Sequence, residues 1–291
     1  MKRKSIYQKI FEKKVCFYCG LFIFLICLCA LLAPVISPYS FHEQFTEKAL
    51  ADSSLEHWLG TDHLGRDLLS RVIYGSRMSM AVGIFTAIIS AVLGLIYGLI
   101  SGWLGGITDR ILMRFIDIMF SIPTLVLLIL VKVLFDSFIV ISHPELKALA
   151  GTLVALSLVS WASLARVVRG QVLQAKENLF VEASQSLGAG SFRIIFIHIL
   201  PNIVSPIIIL LTFQIPSNIL FESMLSFLGL GLQAPFSSWG VLIDEGWRSL
   251  STYPRLIIAP GMMLFLTMLA FNLFGDGLRD IFDPKLQNQI S

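Results

Sequence analysis

Gln214, Asn218 and Glu222 follow one another at four-residue steps inside an apolar run from 203 to 229. On a continuous helix that spacing puts two amides and a carboxyl on one face, although Pro216 can bend the helix between them. Such groups at membrane depth are costly unless they meet water or a partner. Two readings stay open: a hydrogen-bonded seam between helices, or the wall of a path through the membrane or the edge of a subunit boundary. Glu222 also sits near enough to the end of the run to be simply solvated.

The remaining chemistry-bearing residues point away from catalysis. His42, His57, His63, His143 and His198 all fall outside the apolar runs, and no acid, base or nucleophile set forms at membrane depth. An intramembrane enzyme is therefore a remote alternative. His57, Asp62, His63 and Asp67 share one polar segment but lack an H-x-x-x-H spacing. They read as a solvated loop or a surface met by another protein, not as a metal site. Cys16, Cys19, Cys27 and Cys29 lie at or within the first apolar run, and no further Cys completes a metal set. They read as small buried hydrophobes. The chain carries no G-x-x-x-x-G-K-[ST] phosphate loop, so it cannot hydrolyse ATP alone.

The elements that must position these residues are membrane helices. Of 291 residues 56% are hydrophobic and 14% charged, with a mean hydropathy of +0.80, whereas soluble domains carry about a quarter charged residues. Six runs of spanning length are predicted, at 15–36, 78–101, 111–135, 148–168, 203–229 and 255–276. The first run is too long for a signal-peptide core and reads as an uncleaved anchor. Basic residues at the N-terminus, Arg110 and Arg114, Arg166 to Arg193, and Arg279 with Lys285 fall on one side, which predicts cytoplasmic termini. Arg66, Arg71 and Arg77 oppose that assignment from the 37–77 loop, where six acidic residues between Glu43 and Asp67 offset them.

The second run carries Gly83, Ala87, Ala91, Gly94, Gly98 and Gly102 along one face. Small residues at that spacing let helix backbones approach closely, so Gly94, Gly98 and Gly102 are expected to pack against a neighbouring helix. Ser79, Thr86, Ser90, Tyr97 and Ser101 form an adjacent polar stripe that suits a wet cavity or a helix contact. Between the fourth and fifth runs lies a polar loop, 169–202, longer than a simple connection needs. Asn178 is a candidate N-cap, Glu182 falls in the first turns, and Gly188 can supply a left-handed stop. Ser191 can then cap a second short helix running to Pro201. Ala183, Ser184, Gly188, Ala189 and Gly190 give a low-relief surface flanked by Phe180 and Leu187 as apolar anchors, a pattern suited to docking a cytoplasmic partner.

The spacing Glu182-Ala183-Ser184, three residues, Gly188, nine residues, His198-Ile199-Leu200-Pro201 resembles the EAA loop of ABC importer permeases. The usual form is E-A-A, three residues, G, nine residues, I-x-L-P. Ser184 replaces the second alanine, and His198 resembles the H-x-L-P-N version of dipeptide, oligopeptide and nickel permeases. "LGTDHLGRDLLSRVIYGSRMS" (59–79), "GGITDRILMRFIDIMFSIP" (105–123) and "LSFLGLGLQAPFSSWG" (225–240) are similar to further segments of that family, in the same order. The likeness covers nearly the whole chain and is greatest to the family's C-type subunit.

That resemblance implies an all-α integral membrane fold: six transmembrane helices, with a type I, MetI-like five-helix core over 78–291. Residues 1–77 would add a cytoplasmic tail, a first helix and an extracytoplasmic loop. It implies a permease subunit in a bacterial inner or plasma membrane, moving di- or oligopeptides, or alternatively nickel or a metal chelate. Glu182, Ala183, Ser184 and Gly188, with His198, Leu200 and Pro201 closing the loop, would contact an ATPase. The implied partners are a second, B-type permease, two ABC ATPase chains that bind ATP and Mg, and an extracytoplasmic substrate-binding protein. No cofactor or metal belongs to this chain itself, and no nucleic acid is implied.

Overall fold

A computed structural model describes residues 13–282 apart from Pro235, and over them the chain is helical. The basic residues ahead of Lys13, Lys285, and Pro235 of the 225–240 segment lie outside the described residues. Helix α1 (Lys14–Ile36) packs against α2 (Leu68–Leu104) and the last helix, α9 (Arg255–Phe282). Among the described residues, five helices are each long and apolar enough to cross a membrane: α1, α2, α5 (Pro144–Lys176), α7 (Ser191–Phe227) and α9.

The run expected at 111–135 is not one helix. It is α3 (Gly106–Ser121) and α4 (Thr124–Phe138), bent by 97° at the break. The cause is local. Pro123 has no N–H to give, and its ring drives Ile122 into extended backbone, at φ −97° and ψ 132°. Counted as one broken crossing, the pair makes a sixth span.

The α2 helix is the central post. Its N-terminus is capped by Asp67, whose carboxyl accepts the Ser70 N–H at 2.8 Å, and its end is set by Gly105 and Gly106, both at positive φ. It begins at Leu68, well ahead of the expected 78, because that cap lies within the G-R-D segment. Along its length the glycines meet α5. A Cβ on Gly94 would lie 2.9 Å from the Trp161 carbonyl oxygen, one on Gly98 2.6 Å from that of Ala165, and one on Gly102 2.8 Å from Val172 Cβ. Gly83 instead faces Ile219 on α7. In the hydroxyl stripe beside them Ser79, Thr86, Ser90 and Ser101 are buried and Tyr97 half-buried; Tyr97 donates to the Leu112 carbonyl at 2.9 Å, and Ser101 bonds Asp109 at the start of α3.

At one end of the bundle the 37–67 loop folds over α2 and the short helix α8 (Trp239–Trp247). Asp62 is the centre of that cover. It accepts from Arg66 at 2.7 Å and from Arg71 at 2.6 Å, and both guanidinium groups also reach Glu245 on α8. Burial pushes the Asp62 carboxyl upward, but the Arg71 and Arg66 charges, with the N–H groups of Arg66 and Leu64, hold it below the ordinary 3.8. His57 and Asp67 bond each other at 3.0 Å and are both buried, so this half of the His/Asp cluster is structural.

Two outcomes test this packing. Gly98→Leu forces α2 and α5 apart and should destabilise the protein by about 2 kcal/mol or more, read as thermal unfolding in detergent. Gly170→Ala, which meets open space, should be neutral. For Asp62, a lowered carboxyl stabilises above the unfolded value and loses that contribution as pH falls through the folded one. Hydrogen exchange in residues 50–67 should therefore stay protected at pH 5 and open only below about pH 4. Asp62→Asn should cost about 3 kcal/mol at neutral pH, because Arg71 is left with one carboxylate while 1% exposed.

Candidate functional site

At the end opposite α8, the polar loop forms helix α6 (Leu179–Ser186) between α5 and α7. Asn178 holds the N-cap position, but its side chain turns back to donate to the carbonyl of Ala175 at 3.3 Å, so it closes α5 and does not cap α6. Gly188 ends α6 at φ +79°. Its N–H donates to the Gln185 carbonyl at 2.9 Å and that of Ala189 to Ser184 at 3.0 Å. That pair of bonds is a Schellman stop, which needs a residue without Cβ strain at Gly188.

The short helix is held by one deeply placed side chain. Val181, 1% exposed, enters a cluster with Val168 and Val172 of α5 and Ile194, Ile199 and Ile203 of α7. Glu182 and Ala183 face outward and Ser184 is half-buried. Leu187 is 88% exposed, and Phe180, Phe192 and Phe196 are also exposed, the last two stacked at 5.5 Å. The end of α5 is fixed in turn: Lys176 donates to the Trp103 carbonyl at the C-terminus of α2 at 2.8 Å, and Arg169 pairs with Asp109 of α3. The result is a small, braced, apolar-rimmed projection.

The expected second short helix does not stop at Pro201. Ser191 is its first residue and Gly190 takes the cap position. The backbone widens to a π turn over Ile194–Ile199, continues through Leu200 and Pro201, and runs on to Phe227. The wider turn absorbs both the missing N–H of Pro201 and the clash of its ring with the preceding turn. His198 lies half-buried in that turn, 6.4 Å between ring centroids from Phe180.

Farther along α7, the three polar residues separate. A cavity of about 340 Å³ between the α3–α4 break, α5 and α7 is lined by Phe120, Ser160, Ser163, Gln214, Ser217 and Asn218 among others, with no ionisable side chain. Gln214 donates to the Ser160 carbonyl at 2.9 Å. Asn218 accepts from the Ser160 hydroxyl at 2.9 Å and reaches the Gly83 carbonyl at 3.4 Å. Glu222 lies outside that cavity and is not solvated: it is fully buried, and it accepts hydrogen bonds from Ser226 and Ser238, both at 2.9 Å. Pro216 does not break α7.

Sequence reasoning passed over Lys132 and Asp136, which pair at 2.6 Å across one turn of α4, with Lys132 3% exposed. Two opposite charges four apart in an apolar run were the available signal. A Cβ on Gly151 would lie 3.0 Å from the Lys132 ammonium, so α5 leaves a notch for the pair. Among the described residues, no group of three His, Cys, Asp or Glu is placed to hold a metal ion.

Comparison with known proteins meets this geometry from outside. A family model described as binding-protein-dependent transport system inner membrane component matches residues 94–288. The chain is 40% identical to the oligopeptide transport system permease protein OppC of Bacillus subtilis (strain 168), covering 91% of this chain and 84% of that one. It is 43% identical to the dipeptide transport system permease protein DppC of the same organism, over 92% and 81%. It is 37% identical to the glutathione transport system permease protein GsiD of Pectobacterium atrosepticum, over 98% and 92%. In fold it is similar to the inward-facing MetNI methionine ABC transporter, with a TM-score of 0.58 at 18% identity over 74% of this chain and 98% of that one. An amino acid ABC transporter gives 0.56 at 20% identity, over 72% and 92%. The chain belongs to the binding-protein-dependent transport system inner membrane components, the permeases of ABC importers.

Proposed function

We propose that this chain is the permease subunit that forms the translocation pathway of a di- or oligopeptide importer together with a second, homologous permease. Two separate ATPase subunits, carrying the ATP and Mg, would dock on α6, and an extracytoplasmic binding protein would deliver cargo to the α8 end. The observation that carries the reading is the braced projection itself: Val181 is locked into the junction of α5 and α7 while Glu182, Ala183 and Leu187 face outward. A rigid projection transmits displacement, whereas a floppy loop would absorb it. The relatives named above carry oligopeptide, dipeptide and glutathione in their names, which favours peptide cargo over nickel or a metal chelate. The uncharged wall near Gln214 and Asn218 suits cargo of varied side-chain charge. In this reading both termini and α6 are cytoplasmic, and residues 1–77 are an addition to a five-helix core at 78–291.

Glu182→Lys with Gly188→Asp should leave the protein in the membrane, abolish uptake and weaken ATPase co-purification. The aspartate adds about 1 kcal/mol of backbone strain at the positive φ as well as a charge. Unchanged uptake with unchanged ATPase recovery would refute the docking role. A cysteine at Gln185 should react with a membrane-impermeant maleimide from the cytoplasmic side of inverted vesicles and stay silent in intact cells; the reverse pattern would overturn the orientation.

A further inference from the structure

Glu222 is a carboxyl with an unusual set of partners. Ser226 and Ser238 donate to one oxygen at 2.9 Å each, and Ser79 and Ser223 approach the other at 3.4 Å. Three of those hydroxyls are already committed as acceptors. Ser226 accepts the N–H of Leu232 at 3.0 Å, Ser238 that of Val241 at 3.2 Å, and Ser79 that of Trp239 at 3.2 Å. Each hydroxyl is thus polarised by a backbone N–H and turns its own proton to Glu222. No Lys or Arg among the described residues pairs with this carboxyl.

The partners come from three places. Ser79 is on α2, Ser223 and Ser226 are on α7, and Ser238 opens α8. The backbone N–H groups belong to the 228–238 connection and the first turn of α8. Two glycines bring this segment close enough for the bonds to form. A Cβ on Gly231 would sit 2.5 Å from the Ser226 backbone nitrogen, and one on Gly240 2.5 Å from the Ser223 Cα. Glu222 is therefore the knot that ties the connection and α8 to the far end of α7. The same helix begins at Ser191 beside α6 and runs without a break. Ser191 to Glu222 is about 45 Å at helical rise, long enough to cross a bilayer. The connection it holds lines a groove of about 560 Å³ with Gln233 and Ala234 on one side and, on the other, His143 of the α4–α5 connection and Leu146 in the first turn of α5.

We propose that Glu222 is a positioning residue for transport: its serine cage makes the 228–247 segment a rigid extension of α7, so that displacement at α6 opens or closes the groove beside Ala234. This rests on α6 being the ATPase-docking element. Glu222 touches no cargo in this role; it acts through the segment it holds.

The test uses the full transporter in membranes, with the four native cysteines replaced and Ala234→Cys added as a reporter. Its labelling rate by a membrane-impermeant maleimide is compared without nucleotide and with ATP plus vanadate. In the parent, the two rates should differ by about tenfold, since reactivity follows the fraction of molecules in the accessible state. In Glu222→Gln, and independently in Ser238→Ala, the difference should vanish and uptake should fall while ATPase turnover persists. Ser238→Thr, which keeps the hydroxyl, should retain the difference. A merely structural cage would instead lower assembly and ATPase turnover together. A preserved nucleotide-dependent difference in either Glu222→Gln or Ser238→Ala overturns the proposal. If the parent shows no difference while Glu182→Lys with Gly188→Asp still uncouples uptake, the docking reading stands and this proposal falls.

Discussion

The close approach of α2 and α5 is the constraint from which the rest of the molecule follows. Three glycines on α2 remove the side chains that would otherwise hold the two backbones apart, and Gly94, Gly98 and Gly102 sit directly against backbone or Cβ atoms of α5. In lipid, where apolar burial gives little preference for one helix partner over another, such close van der Waals contact carries the association. It also sets distances at the α6 end. Lys176 reaches the last carbonyls of α2, Arg169 reaches Asp109, and Val172 and Val168 form the socket for Val181. A shift along that seam would move all three contacts together.

The polar groups of the interior fall into two kinds. Gln214 and Asn218 sit where α5 and α7 part and border the cavity, Gln214 half-buried with its amide on the Ser160 carbonyl and Asn218 buried with both amide atoms bonded to Ser160 and Gly83. Glu222 and the Asp62–Arg71 pair are instead enclosed, with their partners supplied by different parts of the chain. Enclosed ionisable groups are expensive, and these two persist because several hydrogen bonds meet each carboxyl. They fix which segments lie together in a way that apolar packing alone would not.

Much of this was legible in the sequence because its signals are local. The glycine step along 83–102, the left-handed stop at Gly188 and the position of Glu182 in the first turn of a short helix are all set by neighbours a few residues away. The failures have the opposite character. Asn178 has the right backbone for an N-cap, but its side chain is taken by α5, a competition that spacing does not reveal. Pro201 was expected to end a helix, yet a π turn accommodates it; Pro123 fell inside the straight span expected at 111–135 and instead breaks it. Solvation was one of the readings open for Glu222, and spacing could not exclude it because its four serines lie on both sides of a turn and on α2.

The sharp break at Ile122–Pro123 has a consequence for how the chain enters its membrane. Helix α3 has 16 residues and α4 has 15, about 24 and 22 Å at helical rise, against a hydrocarbon layer of about 30 Å. Neither half can be threaded into lipid as an independent unit during synthesis. Helix α4 packs along α5, so the pair settles in lipid together with that neighbour. Insertion of the α3–α4 pair is then tied to its neighbours by helix length.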